Sequence, residues 1–360
     1  MKIHSVQYMR GIAALLVVIA HSLEHPLKHP SFEFIRTGRL GVLMFFVVSG
    51  FIMVFITGDK PLRPLEFLRR RAIRVVPLYW LATFGVAAVC LLAPNLLKTT
   101  VMTGEHLLMS LLFIPHWGPG HTLAPLLKLG WTLNYEFFFY AWFAALFFLG
   151  AVARVIALTI LFLGFSIAGS LHAFQNPLLA FYFSYLTIGF CSGAWIALAA
   201  LKGRFIPRKP YQQGLAVIAG LAAIGLGYLV EPGTRGAELT ALCLILGASL
   251  LLLAGLGAES WMPRIAPLEK LGDASYSLYL AHMYWIAAAL KLLDRAAPGL
   301  PMPIAIGVCV IGAIIVGIAV YELCERPLLR LFQRPARPQP TPPEAILTVP
   351  ADGLHPGNMP

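Results

Sequence analysis

What most limits this chain is an apolar run of about 18 to 22 residues that recurs from one end of the sequence to the other. Ten such runs stand at about residues 5–24, 38–57, 75–94, 131–150, 152–171, 179–200, 212–230, 238–257, 274–293 and 303–323, each long enough to cross about 30 Å of hydrocarbon as a helix. The expected fold is all-α: a polytopic membrane protein of about ten transmembrane helices. Composition agrees, with 59% hydrophobic and 12% charged residues and a mean hydropathy of +0.78, outside the range of soluble globular domains.

A net charge of +11 would point to nucleic acid in a soluble chain, but here its distribution sets topology. With a cytoplasmic N-terminus, the inner segments hold Lys2, Lys60, Arg63, Arg69, Arg70, Arg71, Arg74, Arg154, Lys202, Arg204, Arg208, Lys209, Arg264, Lys270, Arg326, Arg330, Arg334 and Arg337. The outer segments hold only Lys28, Arg36, Arg39, Lys98, Lys128, Arg235, Lys291 and Arg295. The positive-inside rule then puts both termini in the cytoplasm, which requires an even helix count. The first run carries Arg10 internally, ends in His21 and lacks a small-residue cleavage site, so it is expected to persist as a helix. Residues 1–332 read as one transmembrane domain. Residues 333–360 read as a disordered, Pro-rich cytoplasmic tail. The five cysteines lie in or beside apolar runs without metal or CxxC spacing, so neither a disulfide framework nor a metal centre is expected.

Polar residues inside these runs are the functional candidates, since ionisable groups within spans are rare and normally face a protein interior or a wet cavity. In "YMRGIAALLVVIAH" (Tyr8 to His21), Arg10 and His21 are eleven residues apart. That separation lies within about 20° of three full turns and rises about 16 Å, so both project from one helical face. Either they line one passage, or Arg10 snorkels to the headgroups while His21 caps the outer end. In "FLRRRAIRVVPLYW" (Phe67 to Trp80), Arg71 and Arg74 are three apart and suit a phosphate clamp. Arg69 and Arg70 are explained by topology, which accounts for arginines at a membrane boundary generally.

Ser49-Gly50 interrupts bulky residues in "GVLMFFVVSGFIM" and allows close approach of a ligand or of another helix. In "GWTLNYEFFFYAWF", Glu136 stands beside Trp131, Asn134 and Tyr135, and needs an arginine or histidine partner. "LGDASYSLYLAHMYW" holds Asp273, Ser275, Tyr276, Tyr279 and His282; Tyr279 and His282 share a face, and His282 reads equally as a second functional imidazole or a structural one. "YELCERPLLR" places Glu322 and Glu325 on one face before Pro327. A connection at about 95–130, with His106, His116, Trp117 and His121, lies outside and could shape an acceptor site.

Taken in order, Arg10-x10-His21, "FFVVSGF" (Phe45 to Phe51), Arg71-x-x-Arg74, "WTLNYE" (Trp131 to Glu136), "SYSLYLAH" (Ser275 to His282) and "ERP" (Glu325 to Pro327) resemble the membrane-bound acyltransferase family 3 over about residues 5–330. The resemblance is to a stand-alone form of the polysaccharide-modifying type. It implies acetyl-CoA from the cytoplasm as co-substrate, a polysaccharide or lipid-linked oligosaccharide as acceptor, and a multi-pass place among the lipids of the bacterial inner membrane. It also implies that Arg10 and His21 are both required.

Acyl transfer to a hydroxyl needs a base and groups for the developing oxyanion. His21 is expected to be the base, with Glu136 orienting it or pairing with Arg10. Arg71 and Arg74, with Ser49 and Gly50, are expected to hold the donor while Arg10 lines its tunnel. Tyr279, His282, Ser275, Trp131 and Glu325 are further candidates. Ten helices with buried charges would also suit a transporter or flippase, though no repeat or paired broken helix is visible.

Overall fold

The computed structural model describes residues 3–27, 32–61, 63–93, 100–231 and 233–332. The Pro-rich tail expected to be disordered lies outside these residues. Fourteen helices follow one another among them: α1 His4–Leu27, α2 Phe32–Thr57, α3 Pro64–Leu92, α4 Gly104–Leu111, α5 Trp131–Ala145, α6 Ala151–Leu171, α7 Pro177–Tyr182, α8 Ile188–Leu201, α9 Pro210–Leu229, α10 Thr234–Ala258, α11 Ala266–Asp273, α12 Ser275–Ala296, α13 Met302–Val320 and α14 Arg326–Phe332. No sheet forms among the described residues; Gly118 and Thr122 make an isolated antiparallel bridge.

Helix covers most of each of the ten apolar runs. Among the described residues, seven helices are long and apolar enough to cross a membrane: α1, α2, α3, α6, α9, α10, and α13 continued into α14. The other three runs depart from a plain span. α5 has 15 residues, and α12 has 22 but carries Lys291, Asp294 and Arg295. The run at 179–200 is broken after Tyr182, where a 3-10 turn, Tyr185–Thr187, separates α7 from α8. Asn176 starts α7 by accepting from Leu178 and Leu179 N–H, and the Ser184 hydroxyl accepts from Leu186 N–H at the turn.

Two helix ends are closed by charged side chains from beyond the helix itself. The Glu259 carboxylate at the end of α10 accepts from His4 N–H (2.6 Å) and Ser5 N–H (2.9 Å), capping α1 where the helix dipole favours an anion. Arg154 is buried and donates to the carbonyl oxygens of Leu146 and Leu149, just beyond α5. Lacking a hydrophobic drive between helices in lipid, the bundle relies on small residues at crossings. α1 meets α11 at Gly11 and Gly272, where an added Cβ would press on the opposite backbone. α2 meets α8 at Gly50, whose missing side chain leaves room for the Phe190 carbonyl, and at Gly193, which accepts Val47 in the same way. α12 is pinned along α3 by Tyr276 Oη donating to Val75 O and Tyr284 Oη to Ala82 O, both at 2.7 Å.

Gly50→Val should therefore drive α2 and α8 apart, lowering the thermal midpoint in detergent by about 5 °C or more and reducing the monodisperse fraction. Gly214→Ala, where nothing stands within 4 Å of the new methyl, should leave both measurements unchanged or slightly improved.

Candidate active site

A cavity of about 290 Å³ is enclosed by α1, α2, α3, α5 and α12. Along α2 its wall runs from Met53 inward to Val42, a depth of about 16 Å at 1.5 Å per residue. Arg10, Ser49, Arg71, Arg74, Glu136, Ser275 and Tyr279 all line it. Seven side chains expected to be functional are thus brought together from five helices.

Arg10 is half-buried. Its guanidinium donates to Ser275 Oγ at 2.8 Å and to Gln7 Oε1 at 3.4 Å, and the charges acting on it are Arg74, Glu325, Asp273 and Glu136. The crossing of α1 over α11 at Gly11 and Gly272 brings Arg10 to the start of α12. Glu136 accepts from Ser49 Oγ at 3.1 Å and from the Tyr140 hydroxyl. Arg71 lies over the Phe67 ring, 5.7 Å from its centroid, and its buried Nε has no hydrogen-bond partner among the described residues. A buried guanidinium N–H without an acceptor beside a second arginine fits an anionic ligand such as a phosphate.

Deeper in, Tyr279 Oη lies 3.0 Å from the Leu129 carbonyl and 2.9 Å from Thr132 Oγ1. Its ring is 6.1 Å from that of His282, which in turn is 5.1 Å from the ring of His21. The shared helical face of Arg10 and His21 does not make one open passage. Arg10 lines the cavity, whereas His21 is not among the residues lining it. Val17, one turn before His21, packs on Gly41 next to the inner end of the cavity at Val42. His21 therefore stands about one turn beyond the cavity, behind the Tyr279 and His282 rings. Its Nδ1 is 3.0 Å from Val17 O and 3.1 Å from His282 Nε2. The imidazole beside His21 is His282, and Glu136 is engaged by Ser49 and Tyr140.

Gly50 turns to α8 and serves helix packing, so of the Ser49-Gly50 pair the serine alone lines the cavity. Trp131 opens α5 and packs edge-on against Tyr135 at 6.0 Å, away from the lining. Glu325 is buried in a π-helical turn, Tyr321–Glu325, and accepts from Ser277 Oγ at 2.5 Å. Glu322 pairs with Lys270 and with Arg326, at 2.7 Å for the latter. Thr132, Tyr140 and Gln7 were not singled out from sequence; Tyr140 was the most legible of them, four residues after Glu136 on one face.

In the connection between α3 and α5, His106 Nδ1 lies 3.0 Å from His116 Nε2, under the turn that carries Gly118. A surface pocket of about 320 Å³ includes these two histidines, Trp117 and His121. Burial and the neighbouring His116 hold His106 below the ordinary histidine pKa.

The family described as an acyltransferase domain, acyltransferase 3, matches residues 3–322, and the chain belongs to it. It is similar to the exopolysaccharide production protein ExoZ of Rhizobium meliloti (strain 1021), being 39% identical over 303 residues that cover 81% of this chain and 90% of that protein. It is also similar to acyltransferase MdmB of Streptomyces mycarofaciens, 28% identical over 348 residues, 85% of this chain and 84% of that one. No solved structure matches. The chain is a multi-pass membrane acyltransferase, and the family resemblance carried by its motifs holds.

His106 makes this loop sensitive to acid. An opened loop binds a proton near the ordinary pKa of about 6.5, whereas packed His106 resists it, so lowering the pH favours opening. Amide exchange in 103–122, corrected for its intrinsic pH dependence, should rise between pH 7 and about 5.5, and His106→Gln should flatten that rise.

Proposed function

We propose that this chain is an O-acetyltransferase of the bacterial inner membrane that moves an acetyl group from cytoplasmic acetyl-CoA to a hydroxyl of a cell-surface or exported carbohydrate. The observation that carries this reading is the cavity itself. It runs inward about 16 Å from the basic helix ends on the positive-inside face, with Arg71 and Arg74 near its mouth and Arg10 along its wall. That shape and charge suit a ligand with a phosphate-bearing head and a long, neutral thioester arm.

The head group has a second place to rest. A surface groove of about 530 Å³ carries Lys60, Arg63 and Arg70 and shares Arg71 with the cavity. On this reading the nucleotide phosphates lie across the groove and the Arg71–Arg74 pair, while the pantetheine arm follows α2 towards Val42. The thioester then ends at the Tyr279 wall. Swinging of the Tyr279 ring off Leu129 and Thr132 joins the cavity to His21. In the closed position it keeps water from the thioester.

The acceptor hydroxyl approaches His21 from the outer side, where the loop bearing Trp117 and the histidines lies. Its oxygen attacks the thioester carbon while its proton passes to His21; the carbon–sulfur bond breaks, and the departing thiolate takes that proton. Similarity to an exopolysaccharide production protein supports a carbohydrate acceptor.

Arg71→Ala and Arg74→Ala should each raise the KM for acetyl-CoA by about 10- to 100-fold with kcat little changed and with normal abundance in the membrane. An unchanged KM, or failure of both variants to insert, would return these arginines to a topological role. His21→Ala should lower kcat by at least about 100-fold while leaving insertion intact, and normal turnover in it would remove the base assignment. In cells, deletion of the gene should remove an acetyl group from surface polysaccharide by mass spectrometry.

A further inference from the structure

We infer that His282 is the positioning residue of His21, fixing its tautomer so that Nε2 carries no proton and is ready to accept one; this rests on the proposal that His21 is the base. The argument follows from three distances. His21 Nδ1 is 3.0 Å from the Val17 carbonyl, His282 Nδ1 is 3.1 Å from the Leu278 carbonyl, and His282 Nε2 is 3.1 Å from His21 Nδ1.

A carbonyl oxygen only accepts. Each Nδ1 must therefore carry a hydrogen, since a bare nitrogen there would set two lone pairs against each other. If His282 is protonated at Nδ1, its Nε2 is the acceptor for the Nδ1 hydrogen of His21, which it shares with Val17 O. Protonating both nitrogens of His282 instead would place a cation at a side chain with no exposed surface, and would set two N–H groups against each other across the 3.1 Å gap. The neutral Nδ1–H form of His282 is the arrangement that satisfies these three contacts together. In neutral His21, whose one ring hydrogen is then on Nδ1, the lone pair is at Nε2.

The backbone makes this arrangement rigid. Both imidazoles bond the carbonyl four residues back on their own helices, so α1 and α12 each present the ring in a set rotation. Leu278, whose carbonyl holds His282, packs where Gly317 of α13 admits it. The third group that orients a catalytic histidine is commonly a carboxylate. A neutral imidazole does the same here, in a part of the bundle where a second buried charge would be costly.

The test uses the full-length protein in nanodiscs, [14C]acetyl-CoA as donor, and membranes of the deletion strain as the source of acceptor. His282→Phe keeps the ring volume but removes the acceptor, and His282→Gln restores an acceptor oxygen near the position of Nε2. His282→Phe should lower kcat by about 10- to 100-fold, the scale of a lost orienting partner, with the KM for acetyl-CoA unchanged within about twofold. His282→Gln should recover to within about threefold of the wild type.

Retention of kcat in His282→Phe, an equal loss in His282→Gln, or a loss confined to KM would overturn the inference while leaving the acetyltransferase reading intact. Absence of transfer by the wild type would end both. A readout independent of the variants' folding is 15N NMR of the histidine-labelled wild type, with the His21 signals assigned by their disappearance in His21→Ala. A protonated Nδ1 and a bare Nε2 on His21 support the inference, and the reverse tautomer rejects it.

Discussion

A guanidinium held inside the bilayer dictates much of this architecture. A cation at the centre of a membrane helix costs about 2.5–3.5 kcal/mol on insertion scales, less towards the ends, and Arg10 stands under two turns into a first helix that begins at His4. What offsets that cost comes from far along the chain. Ser275 at the start of α12 accepts its hydrogen bond, and the carboxylates of Asp273, Glu325 and Glu136 act on it from α11, the π-helical turn after α13, and α5. The first helix is thus satisfied only when the last third of the chain has packed against it. Its own end is likewise capped by Glu259, more than 250 residues away in sequence.

Such a network requires helices to approach more closely than bulky side chains allow, and small residues stand where it does. Gly11 and Gly272 let α1 cross α11 so that Arg10 reaches Ser275. The Ser49-Gly50 pair divides the same task between adjacent residues. Gly50 admits the backbone of α8, and Ser49, turned about 100° away, reaches Glu136. Tyrosine hydroxyls extend the pattern, since Tyr276 and Tyr284 each reach a carbonyl of α3. In hydrocarbon these polar contacts have no water to compete with them, so they fix helix register as well as position.

This division also explains what could be read from the chain beforehand. Apolar length found the helices, polar residues inside apolar runs found Arg10, Ser49, Glu136, Ser275 and Tyr279, and three-residue spacing at a run's edge found Arg71 and Arg74, all of which one cavity gathers. Phase arithmetic placed Arg10 and His21 on one face of α1. It could not say what other helices set against that face at each level: Ser275 beside Arg10, His282 beside His21. Periodicity describes one helix at a time, whereas a site depends on the rotation of each helix against its neighbours. Gly50 shows the same limit, since a small residue admits either a ligand or a backbone and only packing decides. The break between α7 and α8 was hidden for another reason: its capping residues, Asn176 and Ser184, flank or interrupt a segment whose mean hydropathy still resembles a span.

The arrangement separates two kinds of chemistry along the membrane normal. Cations collect towards the mouth of the cavity, and two imidazoles stand beyond its far end at Val42. Phosphates are expensive to desolvate and would stay with Arg71, Arg74 and the basic groove, while a neutral arm and its small acyl group bear the passage inward. On the proposed reading, then, the group that crosses the bilayer is the acyl group alone. That makes the Tyr279 wall more than packing. A continuous wet channel from Arg71 to His21 would let water reach the thioester and ions pass between compartments, whereas a ring held by Thr132 and Leu129 keeps the two halves apart until the donor arm is in place. Burying Arg10 on one side of that ring and His21 on the other is therefore consistent with a single catalyst. Their separation of eleven positions measures the thickness across which the acyl group must be handed.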